Sequence, residues 1–208
     1  MLSKIFNGKY LQRLDNIIQW QEKDVFKQES VSQHSYKVAI FARVLLEDIF
    51  GQSEDANVNE FKLEVITRAL LHDWDESFIL RDLSHEIKYN EYNGYDIRRA
   101  LNSFVRYKVS EELNEEVKGV ADQITFASEM MINNIISSTS IENNFVKVCD
   151  WLALIMFIKR EMKLGNSDFE EFLFRAKENI LKAKEILIKD LKLHFPNTNM
   201  NFSELENI

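Results

Sequence analysis

Along most of this chain, apolar residues return every three or four positions, the period of a helix with one buried face. At three places a metal-capable polar side chain stands where the next apolar residue belongs. The stripe Val38, Phe41, Ala42, Leu45 and Ile49 begins with His34. Phe61, Val65 and Ala69 run into His72, seven residues beyond Val65, and Asp73, four beyond Ala69. Farther on, Val146, Ala153, Leu154 and Phe157 share their stripe with Asp150. A protein interior accepts such groups only when they are paired or coordinated. The pattern therefore constrains the chain to a helical fold with a polar centre inside it.

The turn residues agree. One proline and five glycines in 208 residues are too few for an all-β or doubly wound α/β fold. An all-α single domain of about six to eight helices is expected over residues 1–208, with its core at roughly 10–193. The first helix is expected over residues 10–20, with Leu11, Leu14, Ile17 and Ile18 ending at Trp20. Ser30 and Gln33 form a capping box that should open the second. The third should run from Asn59 into His72 and Asp73, with a loop or short turns after Glu76. Further helices are expected from about Leu83 to Tyr107, from Ser110, from about Ile141, and from Phe169 to about Leu193. The Asn-rich segment 196–208 reads as a loosely ordered tail.

The net charge of −8 and pI near 5.2 argue against a protein built to bind a nucleic-acid polymer. A small anionic substrate remains compatible, because a local metal outweighs the global field. The longest apolar run, Trp151 to Ile158, is too short to span a membrane. The lone Cys149 cannot form an internal disulfide and no signal peptide opens the chain, so a reducing, cytoplasmic location is expected.

His34, the pair His72 and Asp73, and Asp150 come from three separate helices. Two imidazoles and two carboxylates suit one divalent ion, Mn²⁺, Co²⁺, Fe²⁺, Zn²⁺, Ni²⁺ or Mg²⁺, rather than a soft-metal thiolate site. Such an ion lowers the pKa of bound water, polarises a phosphoryl group and orients attack on it. Taken singly, each residue also has a plainer explanation. A core histidine is commonly a hydrogen-bonded structural group, and Asp150 could pair with Lys147 or Arg160. Together they break the binary pattern in the same way three times, which a shared ligand explains and separate accidents do not.

The order His34, His72-Asp73, Asp150 on a helical background resembles the HD-domain metal-dependent phosphohydrolase superfamily. Three segments, Glu29-Ser30-Val31-Ser32-Gln33-His34-Ser35, Leu71-His72-Asp73-Trp74-Asp75-Glu76 and Val146-Lys147-Val148-Cys149-Asp150, are similar to its bacterial 5′-deoxynucleotidase (YfbR-like) branch. The resemblance covers roughly residues 10–160. It implies that His34, His72, Asp73 and Asp150 hold the ion and that Glu76 orients or deprotonates the attacking water. It also places Asp82 near the sugar and reacting phosphate, Lys88 where the family has a basic residue, and Trp20 where the family has a tryptophan bordering the deoxyribose. Trp20 could equally be the aromatic end of an apolar stripe. Gln19 stands where the family has an arginine, and Ser84-His85-Glu86 replaces family prolines. Arg13, Lys23, Lys27, Arg81 or Lys88 are the cations available to compensate.

The implied activity is removal of phosphate from deoxyribonucleoside 5′-monophosphates, by a protein expected to form a homodimer. A deoxynucleoside triphosphate triphosphohydrolase of phage type is the enzymatic alternative. A nucleotide-binding HD module without turnover is the non-catalytic one, against which Glu76 and the complete ligand set argue. A purely structural helical protein would hold no stoichiometric metal.

Overall fold

A computed structural model describes residues 9–74, 76–82 and 140–208. The helices expected at 83–107 and from Ser110, and with them Lys88, lie outside the described residues. Among the described residues the ordered structure is helical apart from one isolated β-bridge. The chain groups into two compact units.

The first unit includes residues 9–24, 28–35 and the segment from Leu71 to Asp82. Helix α1, Lys9–Asn16, is shorter than the apolar stripe predicts. After Ile17, whose N–H still bonds Arg13 carbonyl, the backbone pairs with residues 29–31 instead of continuing the helix. Ile18 bridges Ser30 in antiparallel sense, Gln19 N–H donates to Glu29 carbonyl at 2.8 Å, and Val31 N–H donates to Ile17 carbonyl at 2.9 Å. Leu14, Ile17 and Val31 close a small apolar cluster behind this pairing. Helix α2, Val31–Phe50, starts where the capping box places it. Gln33 Oε1 accepts from Ser30 N–H at 3.1 Å, and Ser30 Oγ accepts from Gln33 N–H at 3.3 Å.

The second unit includes most of α2, helix α3, Ala56–Leu71, up to Leu70, and the described residues from Ser140 onward. Helix α3 starts earlier than Asn59 because Asp55 caps it, its Oδ1 accepting from Asn57 N–H at 2.9 Å. Helix α4, Glu76–Ile79, is a single turn in the first unit. In the second unit, helix α5, Ile141–Lys163, is capped by Ser140, a 3-10 turn covers Ser167–Phe169, and α6 runs Glu170–His194. Phe50, Phe61, Phe145 and Phe195 meet edge to face, with centroid separations from 5.2 to 6.1 Å, and form the aromatic centre of this unit. The segment after Pro196 differs from the loose tail expected. Its helix α7, Ser203–Glu206, buries Leu205, and Asn201 N–H bonds Ile49 carbonyl at 2.9 Å. Among the described residues no helix is long and apolar enough to cross a membrane.

Candidate metal centre

His34, His72 and Asp73 are buried, and Asp150 is half-buried. His34 lies in the first turn of α2, on the face that continues as Val38, Ala42 and Leu45, and is buried with them. Helix α3 ends at Leu71, so His72 and Asp73 stand in the turn after it rather than on it. Trp74 N–H bonds Leu71 carbonyl, and Glu76 N–H bonds Asp73 carbonyl, both at 3.1 Å. His72 and Asp73 are both buried in these tight turns. Helix α4 follows at once, and Glu76 at its start is completely buried.

The His34 and His72 rings stand 5.3 Å apart between centroids, tilted by 55°. Asp73 Oδ2 lies 3.1 Å from His72 Nε2. One ligand atom from each of His34, His72 and Asp150 falls within 4.8 Å of the other two. Asp150 itself is half-buried on α5, between the fully buried Cys149 and the half-buried Trp151. Atoms bound to one ion stand at most about 4.4 Å apart, two bonds of about 2.2 Å, so this group closes on an ion with a shift of a few tenths of an ångström. The donor set, two imidazole nitrogens and a carboxylate oxygen, also suits a divalent ion of borderline hardness. Asp73 Oδ2, 3.1 Å from His72 Nε2, stands at about the spacing of two neighbouring ligands of one ion.

Glu29 is the residue that sequence reasoning passed over. It is buried, and its Oε1 lies 3.9 Å from His34 Nδ1, near the ring but beyond hydrogen-bond distance. Its place directly before the capping box was visible, but a carboxylate beside a helix start reads equally well as a solvated group.

Trp20 is not the end of an apolar stripe. It lies beyond α1, half-buried, with φ of 62°, a left-handed conformation that costs a bulky residue about 1–3 kcal/mol. Its N–H donates to Asp82 Oδ2 at 2.7 Å, which joins two of the candidate residues directly. Gln19 is half-buried beside it. Arg81 is exposed and faces Glu22, Nη2 to Oε1 at 3.5 Å. Of the other cations suggested from sequence, Arg13 Nη1 donates to Ser77 carbonyl at 3.3 Å. Arg160, suggested as a partner for Asp150, donates from Nη2 to Lys27 carbonyl at 2.8 Å.

The chain matches the sequence model described as 5′-deoxynucleotidase YfbR-like over residues 7–197. No curated protein matches it significantly. An HD-domain phosphohydrolase from Listeria innocua is similar in structure, with TM-score 0.68 and 22% identity over 93% of this chain and 86% of that one. A conserved hypothetical protein from Pyrococcus furiosus is similar with TM-score 0.58 and 21% identity over 94% of each chain. Both likenesses bear on the fold, which is the helical one expected. The match across nearly the whole chain carries the assignment: this protein belongs to the YfbR-like 5′-deoxynucleotidase family.

Proposed function

We propose that this metal-dependent phosphohydrolase removes phosphate from deoxyribonucleoside 5′-monophosphates at a centre formed by His34, His72, Asp73 and Asp150. The observation that carries the proposal is the proximity of His34, His72 and Asp150 ligand atoms, together with a wholly buried Glu76 four residues after His72. His34, His72 and Asp150 would hold the ion. Asp73 would steady the His72 ring or complete the coordination. When bound, a divalent ion supplies positive charge against the phosphoryl oxygens and makes water a stronger acid.

Glu76 is the residue assigned to the proton. Its carboxylate takes a proton from the attacking water as the new P–O bond forms. The bond to the nucleoside oxygen breaks on the opposite side, that oxygen takes a proton from solvent and leaves as the alcohol, and Glu76 releases its proton to solvent. A homodimer in the cytoplasm completes the reading; the family resemblance supports the dimer, and the lone cysteine supports the location.

A panel of ribo- and deoxynucleoside mono-, di- and triphosphates, assayed with Mn²⁺, Co²⁺ and Mg²⁺, tests it. Inorganic phosphate from deoxynucleoside monophosphates is the expected product, abolished by chelation. Triphosphate released from a deoxynucleoside triphosphate would replace the reading with a triphosphohydrolase. His72→Ala is expected to lose both turnover and bound metal, the latter measured by elemental analysis. Unchanged turnover in Asp73→Ala would show that the proposed centre is misplaced.

A further inference from the structure

Two hydrogen bonds, one from α1 and one from the segment that follows it, reach the run that carries Glu76. The first joins Arg13 Nη1 to Ser77 carbonyl at 3.3 Å. The last carbonyls of a helix have no partner inside it, so in a helix as short as α4 a guanidinium at Ser77 acts as its C-terminal cap. The second joins Trp20 N–H to Asp82 Oδ2 at 2.7 Å, a short bond to a half-buried carboxylate. Two residues of these segments are in the left-handed region, Trp20, the donor of the second bond, with φ of 62° and Leu80 with φ of 64°. Neither is glycine, and a side chain stays in that region only where its surroundings hold it.

We propose that Asp82 is a positioning residue, which acts through the Trp20 backbone rather than on the phosphate. Its carboxylate holds the left-handed turn at Trp20. The turn in turn fixes the wall that residues 13–20 set beside the Glu76 run. Arg13 fixes the other end of the same wall, one residue from Glu76. The task of Asp82 needs an acceptor oxygen and no negative charge. That requirement separates it from Glu76, whose assigned task needs a base. The kinetic part of this proposal rests on the phosphohydrolase reading above; the structural part does not.

The test compares Asp82→Ala with Asp82→Asn in the full chain, because an asparagine oxygen still accepts from an N–H. Two quantities are read: amide hydrogen exchange at Trp20 by mass spectrometry, and kcat/KM for deoxynucleoside monophosphates with Mn²⁺. Asp82→Ala is expected to speed Trp20 exchange about tenfold or more and to lower kcat/KM about tenfold, the scale of one hydrogen bond to a charged group. Asp82→Asn should return both to within about threefold of the parent.

If Asp82→Asn is as slow an enzyme as Asp82→Ala while Trp20 exchange stays at the parent rate, the charge itself serves the reaction and the proposal fails. It fails equally if neither variant alters Trp20 exchange. If the parent hydrolyses no nucleotide but exchange responds as expected, the positioning role stands and the phosphohydrolase reading alone is lost.

Discussion

Replacing Glu76 by glutamine separates chemistry from folding. The side chain is 0% exposed at the start of α4, and glutamine keeps its size and shape while removing the charge. A general base contributes typically about 10²–10⁴-fold to a rate. At about 1.4 kcal/mol per factor of ten, that is about 3–5 kcal/mol of barrier. Stability should move the other way or not at all, since a buried carboxylate is more costly to desolvate than a neutral amide. The expected signature is therefore kcat lower by at least about 100-fold, with the urea midpoint at or above that of the parent. Steady-state kinetics at saturating metal measure the first and equilibrium unfolding the second. Elemental analysis should find the parent metal content, because His34, His72 and Asp150 are untouched. A kcat within about threefold of the parent, with metal bound, would refute the assignment of the proton to Glu76.

Two further predictions concern buried groups near or beyond the centre. Glu161 is fully buried and accepts from Phe26 N–H at 2.6 Å and Lys27 N–H at 3.1 Å. Glu161→Ala strands both donors, and a loss of about 3–5 kcal/mol is expected in urea unfolding. A loss below about 1 kcal/mol would mean that water replaces the carboxylate at little cost. Burial, and then the Asp150 carboxylate, hold the Cys149 thiol pKa well above its ordinary value. The native thiol should therefore resist alkylation at pH 8 and react only on unfolding. Above the ordinary thiol pKa the unfolded chain releases this proton first, so the Cys149 contribution to stability falls as pH rises past about 8.5. Stoichiometric labelling of the native protein within minutes, or a Cys149→Ala variant with the same alkaline loss of stability, would contradict this.

Much of the centre was legible because a polar residue in an apolar stripe is an energetic anomaly wherever the helix is read. His34, His72 and Asp73 are buried, and Asp150 sits half-buried beside the fully buried Cys149. The Ser30 and Gln33 cap was legible for a similar reason, since both partners lie within one helical turn and need no tertiary contact to meet. The same local logic misjudged Trp20. Apolar spacing continued through Ile17 and Ile18, but the backbone groups beyond Asn16 pair with residues 29–31 and the helix stops. It also misjudged the segment after Pro196, where polar composition suggested fraying although Leu205 is buried and Asn201 bonds the end of α2.

By itself, the sequence determined the helical class, the burial of His34, His72 and Asp73, and the start of α2. Each of these follows from periodicity or from contacts within a turn. Tertiary structure alone decided which residues meet. The 62-residue separation between Trp20 and Asp82 is bridged by one hydrogen bond, and Glu29 is set beside His34 by the pairing of residues 17–19 with 29–31. Folding also decided that the Asp73 carboxylate meets the His72 ring, with Oδ2 3.1 Å from Nε2. Periodicity states which face of a helix avoids water. It carries no information about which of the polar groups on that face will lie within bonding distance once several helices have packed.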